Sequence, residues 1–482
     1  MQRRTKIVAT LGPATDEKGV LEALVTAGVN VVRMNFSHGL PEDHRRRALQ
    51  VRELAKKHHC HIAILGDLQG PKIRIACFVD GSISLKTDDS FTLDAELRRD
   101  AGNQQVVGID YKNLPEDCKV GDILLLDDGR IELVVESIED KKIHCLVQTG
   151  GILSNNKGVN RQGGGLSAPA LTEKDVKDIK LAAAIDVDYL AVSFPRSAQD
   201  IDLTRELLQR AKGNAGIVAK IERAEAVVND DTLDGLIRAS DGVMVARGDL
   251  GVEIGDAELV AVQKRIIIRA RRLNKCVITA TQMMESMITS PLPTRAEIFD
   301  VANAVIDGTD AVMLSAETAA GKYPVKAVNA MARAIRGAEL YPYVRISDHR
   351  VSRKFSAIDE SIGMAAMYTA NHMEGVTAII AFTESGYTPL LMSRFNSSLP
   401  IYAFSHHEKT MSRVALYLGV ESIPFHDFDE DPSLTNQRAI QQLIRRNYVK
   451  KGDLVIITKG DLDNLTGGTN GMKILKVDSE NN

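Results

Sequence analysis

In this chain of 482 residues, the polar residues with the most legible chemistry follow short apolar runs. Arg33, Asn35 and Ser37 follow one run, Asp67 the next and Ser193 another. Lys220 with Glu222, Arg247 with Asp249, and Thr279 with Thr281 close three more. Glu222 and Asp249 are hard oxygen donors, suited to Mg²⁺ or Mn²⁺ with coordination positions left for substrate and water. Two arginines and a lysine aimed at one mouth fit an anionic substrate that carries phosphate. Gly248-Asp249-Leu250-Gly251 reads as a tight turn entering a helix, whose free N–H groups could bind a carboxylate. Such equipment suits phosphoryl transfer, where positioning and charge neutralisation carry most of the catalysis. Any one of these groups alone could be a rim salt bridge. Together they make a site.

The runs that must position them are KIVATLG, NVVRMNFS, IAILGDL, DYLAVSFP, GIVAKIE, GVMVARGD, CVITATQM and DAVMLSAET, with helical periodicity between most of them. This alternation predicts an α/β fold, a (β/α)₈ barrel over residues 1–70 and 170–347, in which groups at the strand C-termini share one rim. Residues 71–169 break the rhythm and read as β-structure. Residues 123–138 are two strand-like runs around Asp127-Asp128-Gly129, and IEDKKIHCLVQ looks like a second hairpin. The expectation is a small inserted β-barrel acting as a lid, with Gly163, Gly164 and Gly165 as a hinge. Residues 348–482 alternate a helical run, SAIDESIGMAAMYTANHM, with VTAIIAFT, PIYAFS and DLVIITKG. They predict a separate three-layer α/β domain with a partly parallel sheet.

Composition narrows the function classes. Lys and Arg total 60 against 64 Asp and Glu, a net charge of −4, which argues against a nucleic-acid partner. Hydrophobic content of 44% and charged content of 26% exclude wholesale disorder. Five scattered cysteines without a CxxC pair exclude a disulfide scaffold and fit a reducing compartment. The basic N-terminus runs into Pro13, Asp16 and Glu17 without a secretory apolar region, and no stretch reaches the ~20 apolar residues of a membrane span. A soluble, cytoplasmic protein with no membrane partner is expected.

The segments NVVRMNFSHG, ILGDLQGPKIR, SNNKGVN, VAKIERAEA, MVARGDLGVE, TATQMMESMI and PTRAEIFDVANAVIDGTDAVMLSAETAAGKYP resemble those of pyruvate kinases of bacterial type, essentially along the whole chain. The resemblance implies transfer of the phosphoryl group of phosphoenolpyruvate to ADP, giving pyruvate and ATP, the last step of glycolysis. It implies that Lys220 balances charge on the phosphoryl group and that Glu222 and Asp249 hold the divalent metal. Thr281 would lie near the face where the enolate is protonated. Arg33 and Arg74 would hold phosphate groups, and Ser193 and Gly248 would touch substrate. Asn35, Ser37, His38 and Lys157 correspond to the nucleotide side, Lys157 coming from the lid, and an aspartate of the Asp127-Asp128 turn would face the closed site. A homotetramer is implied as well. A different phosphoenolpyruvate-handling barrel enzyme and an inactive metabolite sensor are the competing readings.

Two departures and several plainer features remain. K⁺-dependent members of the family hold the ion near positions matching Asn35, Ser37, Asp67 and a threonine, and carry a glutamate at the position of Lys72. Here Leu68 and Lys72 stand at the last two, which predicts that K⁺ is not required; a salt bridge at the lid root is the alternative role for Lys72. In the C-terminal domain, Thr383, Ser385, Gly386 and Thr388 resemble the family's effector loop, with residues 466–470 as its second wall. Tyr387, where many members are basic, turns that expectation from fructose 1,6-bisphosphate toward a sugar monophosphate or a nucleotide. His58-His59-Cys60-His61 looks like a metal cluster, but neighbours on an extended chain point apart. Arg45, Arg46 and Arg47 read as a solvated helix face, and Met283, Met284 and Met287 as barrel-end packing or interface.

Overall fold

The structure, a computed structural model, describes residues 3–344, 354–429, 431–460 and 468–478. The eight apolar runs form parallel strands: β1 Lys6–Leu11, β2 Val31–Asn35, β3 Ala63–Asp67, β4 Tyr189–Val192, β5 Gly216–Ile221, β6 Gly242–Ala246, β7 Cys276–Ala280 and β8 Ala311–Leu314. They close in chain order into one barrel. Because both faces of such a strand are covered, by the barrel interior and by the helix ring, nearly every position is buried, which is why the runs read as continuous apolar stretches.

The inserted segment is a six-stranded sheet plus a two-stranded one. Its edge strands are Val159–Arg161 and Val106–Gly108. The entering chain closes the curl, since Arg74 bridges to Gly158 at one edge while Ile75 bridges to Ile109 at the other. Both predicted hairpins are present: Ile123–Leu126 pairs with Ile131–Glu139, which pairs with Lys142–Thr149. The first turn carries positive φ at Asp127, Asp128 and Gly129. Ile73, Phe91, Leu124, Leu133 and Val147 fill a core of its own.

The lid joins the barrel at two points whose positive φ favours glycine. Gly70 has φ +68, and a Cβ there would stand 2.7 Å from the Ser193 Cβ. Gly163, Gly164 and Gly165 all have positive φ, and a Cβ on Gly164 would collide with the Glu225 carboxylate. The predicted hinge is pinned to the barrel, the Gly163 N–H donating to the Glu253 carbonyl at 2.9 Å and the Gly165 N–H to Glu225.

The C-terminal domain holds β9 Val376–Phe382, β10 Ile401–Ser405, β11 Val420–Pro424, β12 Leu454–Gly460 and β13 Thr469–Lys476, in the order β11-β10-β9-β12-β13. All pairs are parallel except β12 with β13. The predicted domain boundary at 347–348 lies outside the described residues. This domain covers the N-terminal end of the barrel, the end opposite the polar rim. Arg394 and Asp310, both fully buried, form an ion pair there, the Lys6 ammonium donates to the Val420 carbonyl at 2.5 Å, and the Gly419 N–H donates to the Arg4 carbonyl at 3.0 Å. No helix among the described residues is long and apolar enough to cross a membrane.

Candidate active site

The strand C-termini converge as the sequence predicts. At the ends of β3, β4 and β5, Lys220 Nζ lies 2.8 Å from Glu222 Oε1, 2.7 Å from Ser193 Oγ and 3.3 Å from Asp67 Oδ1. The Ser193 hydroxyl donates a hydrogen bond to the Leu68 carbonyl at 2.7 Å, which leaves its oxygen free to accept from the lysine. Arg33 Nε donates to Asp67 Oδ2 at 2.6 Å, and one of its terminal nitrogens donates to Thr10 Oγ1. From the root of the lid, Lys72 Nζ reaches Asp249 Oδ1 at 2.9 Å and stands 3.8 Å from Asp128 Oδ1. The salt bridge given above as the alternative role of Lys72 is therefore present. It also brings the Asp128 turn of the lid to the barrel mouth.

The site is a balanced array, with Arg33, Lys220 and Lys72 facing Asp67, Glu222 and Asp249. Burial pushes the Lys220 ammonium down, but Asp67 and Glu222 outweigh it and hold its pKa above the ordinary value. The same opposition raises Lys72, where Asp249 outweighs burial. Asp67 is desolvated, yet Lys220 and Arg33 hold it below the carboxylate range. Glu222 goes the other way: burial, reinforced by Asp249 and Asp67, lifts it despite Lys220. A charged lysine and a buried carboxylate whose ionisation is opposed are suited to a substrate anion and a cation together.

The residues fit a divalent metal. The Glu222 oxygens accept one bond each, from Lys220 and from the Phe194 N–H at 2.8 Å, so each keeps a lone pair. Asp249 is part-exposed at the mouth, and the buried Asp67 Oδ1 has no hydrogen bond, only the Lys220 charge beside it. An all-carboxylate donor set is that of a hard cation.

Around β6 and β7 the geometry corrects three expectations. Gly248-Asp249-Leu250-Gly251 does not precede a helix; it lies inside one, Arg247–Ile254, and the Gly248 N–H is engaged, donating to Thr281 Oγ1 at 2.8 Å. Arg247 does not face the mouth. Its guanidinium donates to the Thr281 carbonyl at 2.6 Å and pairs with Asp300 at 2.6 Å. Thr279 is buried below the site, donating to Thr309 Oγ1. What Arg247 supports is unusual: Thr281 has φ +67 and Gln282 φ +54. A β-branched residue in that region is strained by about 1–3 kcal/mol and persists only where its surroundings hold it. Nothing in the TATQ motif by itself announces this conformation.

Of the residues that the resemblance gives to the nucleotide, Asn35, Ser37 and His38 lie at the C-terminal end of β2, on the same rim. Asn35 Oδ1 accepts from the Ser37 N–H at 3.1 Å, and the His38 carbonyl faces the His44 ring at 3.0 Å. Lys157 pairs with Asp127 at 2.7 Å in the lid. Arg74 is turned into the lid, donating to the Asn156 carbonyl at 2.8 Å and lining a cavity of about 260 Å³ with Arg99, Lys112 and Asp110. Sequence reasoning passed over Glu253, which receives the Ala224 N–H at 2.8 Å and contacts Asn160 of the lid; burial pushes its carboxyl up to about 7. It closes the segment MVARGDLGVE, but nothing there singles it out, because its contacts depend on where the lid returns.

The plainer features also resolve. His58 turns to Glu22 at 2.8 Å while His61 meets Ser422 at 2.9 Å, so the histidine run diverges. Arg45 and Arg46 are exposed, but Arg47 is buried against Asp16, which corrects the solvated-face reading for that residue. Met283, Met284 and Met287 are fully buried.

Residues 2–328 match the family pattern described as pyruvate kinase, barrel domain, and residues 360–475 that of pyruvate kinase, alpha/beta domain. Pyruvate kinase II of Salmonella typhimurium is 58% identical over 476 residues, covering 99% of both chains. This chain belongs to the pyruvate kinase family. A pyruvate kinase from Haemophilus influenzae is 58% identical over 458 residues, covering 95% of this chain and 96% of its own. One from Geobacillus stearothermophilus is 41% identical over 98% of this chain and 80% of its own length. As a pyruvate kinase the protein is a phosphotransferase acting on phosphoenolpyruvate and ADP, and the family's use of a divalent metal agrees with the Glu222 and Asp249 carboxylates.

Proposed function

We propose that phosphoryl transfer takes place at the C-terminal mouth of the barrel with Lys220 as the charge-balancing group. The observation that carries this is its ammonium, buried and held charged, within hydrogen-bond reach of Glu222 and Ser193. The P–O bond to the enol oxygen of phosphoenolpyruvate breaks, a bond to the β-phosphate of ADP forms, and the enolate takes a proton at carbon to give pyruvate. Arg33 grips phosphate oxygens, Arg74 does so once it turns from the Asn156 carbonyl that it bonds here, Ser193 and Gly248 contact the substrate, and Thr281 stands at the protonated face. Asn35, Ser37, His38, Arg74 and Lys157 serve the nucleotide. Mg²⁺, or Mn²⁺, bound by Glu222 and Asp249 would neutralise charge on the transferring phosphoryl group. Pyruvate formation from phosphoenolpyruvate, dependent on ADP and Mg²⁺, tests the reading; product formed without ADP would count against it.

Activity without K⁺ goes with this site. Leu68 is buried and offers no oxygen, while the Lys72 ammonium is held charged beside Asp249. A lysine head is a fixed monovalent cation, able to supply the charge that K⁺ brings elsewhere. In a buffer whose sole monovalent cation is tetramethylammonium, turnover should match that in KCl at equal ionic strength; a large stimulation by K⁺ overturns this.

A phosphorylated effector, a sugar monophosphate or a nucleotide, is assigned to the loop carrying Thr383, Ser385, Gly386 and Thr388. The order β11-β10-β9-β12-β13 reverses direction between β9 and β12, so this loop stands at the topological switch point where open α/β sheets bind ligands. Thr388 Oγ1 meets Thr469 Oγ1 at 2.6 Å across it; Thr466 and Gly467 of the second wall lie outside the described residues, and Gly468, Thr469 and Asn470 within them. Replacing Ser385 and Thr388 by alanine should abolish an effector-induced shift of about 5–150-fold in phosphoenolpyruvate affinity while sparing unactivated turnover. A normal response in the double variant places the effector elsewhere. A homotetramer is supported by exposed Leu292, Ile298, Phe299 and Ile306 along and beside one helix, Arg295–Asp307. A cytoplasmic enzyme of glycolysis fits these substrates.

A further inference from the structure

Outside the barrel mouth, one cluster combines two imidazoles with a carboxylate. Glu384 follows β9, and His406 and His407 follow β10; Phe382 and Phe404 at the ends of these strands are register partners, so the two loops emerge side by side. His407 Nε2 lies 2.5 Å from Glu384 Oε2 and His406 Nε2 3.9 Å from the same oxygen, all three ligand atoms falling within 4.8 Å of one another. The chain bends at His406, so the adjacent rings are brought together, with centroids 3.9 Å apart, unlike the diverging histidines of the His58 run. Phe428 packs edge-on to His406 at 5.9 Å and gives the site an apolar wall. The Glu384 carbonyl is fixed by Thr410 Oγ1 at 2.5 Å, which steadies the backbone that presents the carboxylate.

We propose that Glu384, His406 and His407 form a binding site for a divalent transition metal of the Zn²⁺ class. Two neutral imidazoles and one carboxylate are a donor set that suits Zn²⁺, Co²⁺ or Ni²⁺ better than Mg²⁺, which takes oxygen ligands and keeps its waters. Bonds of 2.0–2.1 Å to a tetrahedral centre put donors about 3.3 Å apart, which lies between the separations of 2.5 and 3.9 Å seen here. The three side chains are part-exposed, with relative exposures of 28% for Glu384, 36% for His406 and 46% for His407, so small χ rotations bring them to that spacing without disturbing the core. Three protein ligands leave a position open to water or to an anionic ligand. A bound metal would tie the loop after β9 to the loop after β10. The site lies in the C-terminal domain, which meets the barrel at the end opposite the catalytic carboxylates, and does not depend on the catalytic reading.

The full-length protein, stripped with a chelator and kept in saturating Mg²⁺, is titrated with Zn²⁺, and retained metal is counted after gel filtration. One equivalent per chain more than in the His406→Ala/His407→Ala double variant is expected. Glu384→Gln should weaken the same equivalent by about 100-fold, since even loss of an outer partner of a metal ligand costs 10–100-fold. Co²⁺ in place of Zn²⁺ should give the visible absorption of a low-coordinate centre in the parent and not in the double variant. Circular dichroism and turnover identify a variant that is misfolded, and in that case His407→Gln alone, which keeps the hydrogen bond to Glu384, carries the test. Equal zinc content and equal cobalt spectra in parent and variants overturn the proposal.

Discussion

Lys220→Met should lower kcat by about 10³-fold or more, the scale on which a preorganised charge stabiliser acts, with a much smaller change in KM for phosphoenolpyruvate. Methionine fills the stem of the lysine but leaves Asp67 and Glu222 without the ammonium that faces both. Two further readouts follow. Burial already lifts the Glu222 carboxyl, and Lys220 opposes that lift, so removing the lysine raises it further. Metal binding needs the carboxylate, so its onset should move to higher pH in the variant. Loss of one partner from a buried ion pair also costs about 3–5 kcal/mol, read as a lower unfolding midpoint. Lys220→Arg keeps the charge and most of the stability but misplaces the head, and its turnover should still fall. A variant lacking the lysine that keeps more than about a tenth of kcat removes Lys220 from the role assigned to it.

Asp249→Asn should raise the Mg²⁺ concentration for half-activation about tenfold or more, a change of roughly 1.4 kcal/mol or above in metal affinity, and high Mg²⁺ should restore part of the rate. Asparagine keeps an oxygen for Lys72 at the 2.9 Å contact, so the lid root remains tethered. What it removes is one of two anionic ligands, and the cation then relies on Glu222, whose ionisation is itself opposed by burial. Removing the Asp249 charge also relieves Glu222 of a repulsion, which lowers the Glu222 pKa and offsets part of the loss at neutral pH. An activation curve for Mg²⁺ identical to the parent's overturns the assignment. So would equal inhibition of both forms by a chelator titrated against a fixed Mg²⁺ concentration.

Much of the architecture was legible because barrel strands, covered on both faces, leave unbroken apolar runs. The polar residue at each C-terminal end follows from chain direction alone. Lys220, Glu222, Asp67, Ser193 and Arg33 could thus be assembled from the sequence into one mouth. The hairpins of the lid were legible from Asp127-Asp128-Gly129 and from alternation, since turn chemistry is local. The closure of that lid was not, because it is made by Arg74 and Ile75 bridging edges that are distant in sequence.

Which charged residues serve the site and which serve the scaffold was decided only by tertiary structure. Arg247 and Lys220 look alike on paper, each following an apolar run. One guanidinium is held by the Thr281 carbonyl and Asp300, while the ammonium stands among Asp67, Glu222 and Ser193. The same holds for Lys72, which meets Asp249 across 177 positions of sequence, and for the positive φ of Thr281, held by Arg247 and Gly248 of the helix that follows β6. The physical reason is range. Periodicity and turn propensity act over a few residues and are written locally, whereas an ion pair or a strained dihedral depends on which distant groups the closed barrel brings within about 3 Å, the reach of a hydrogen bond.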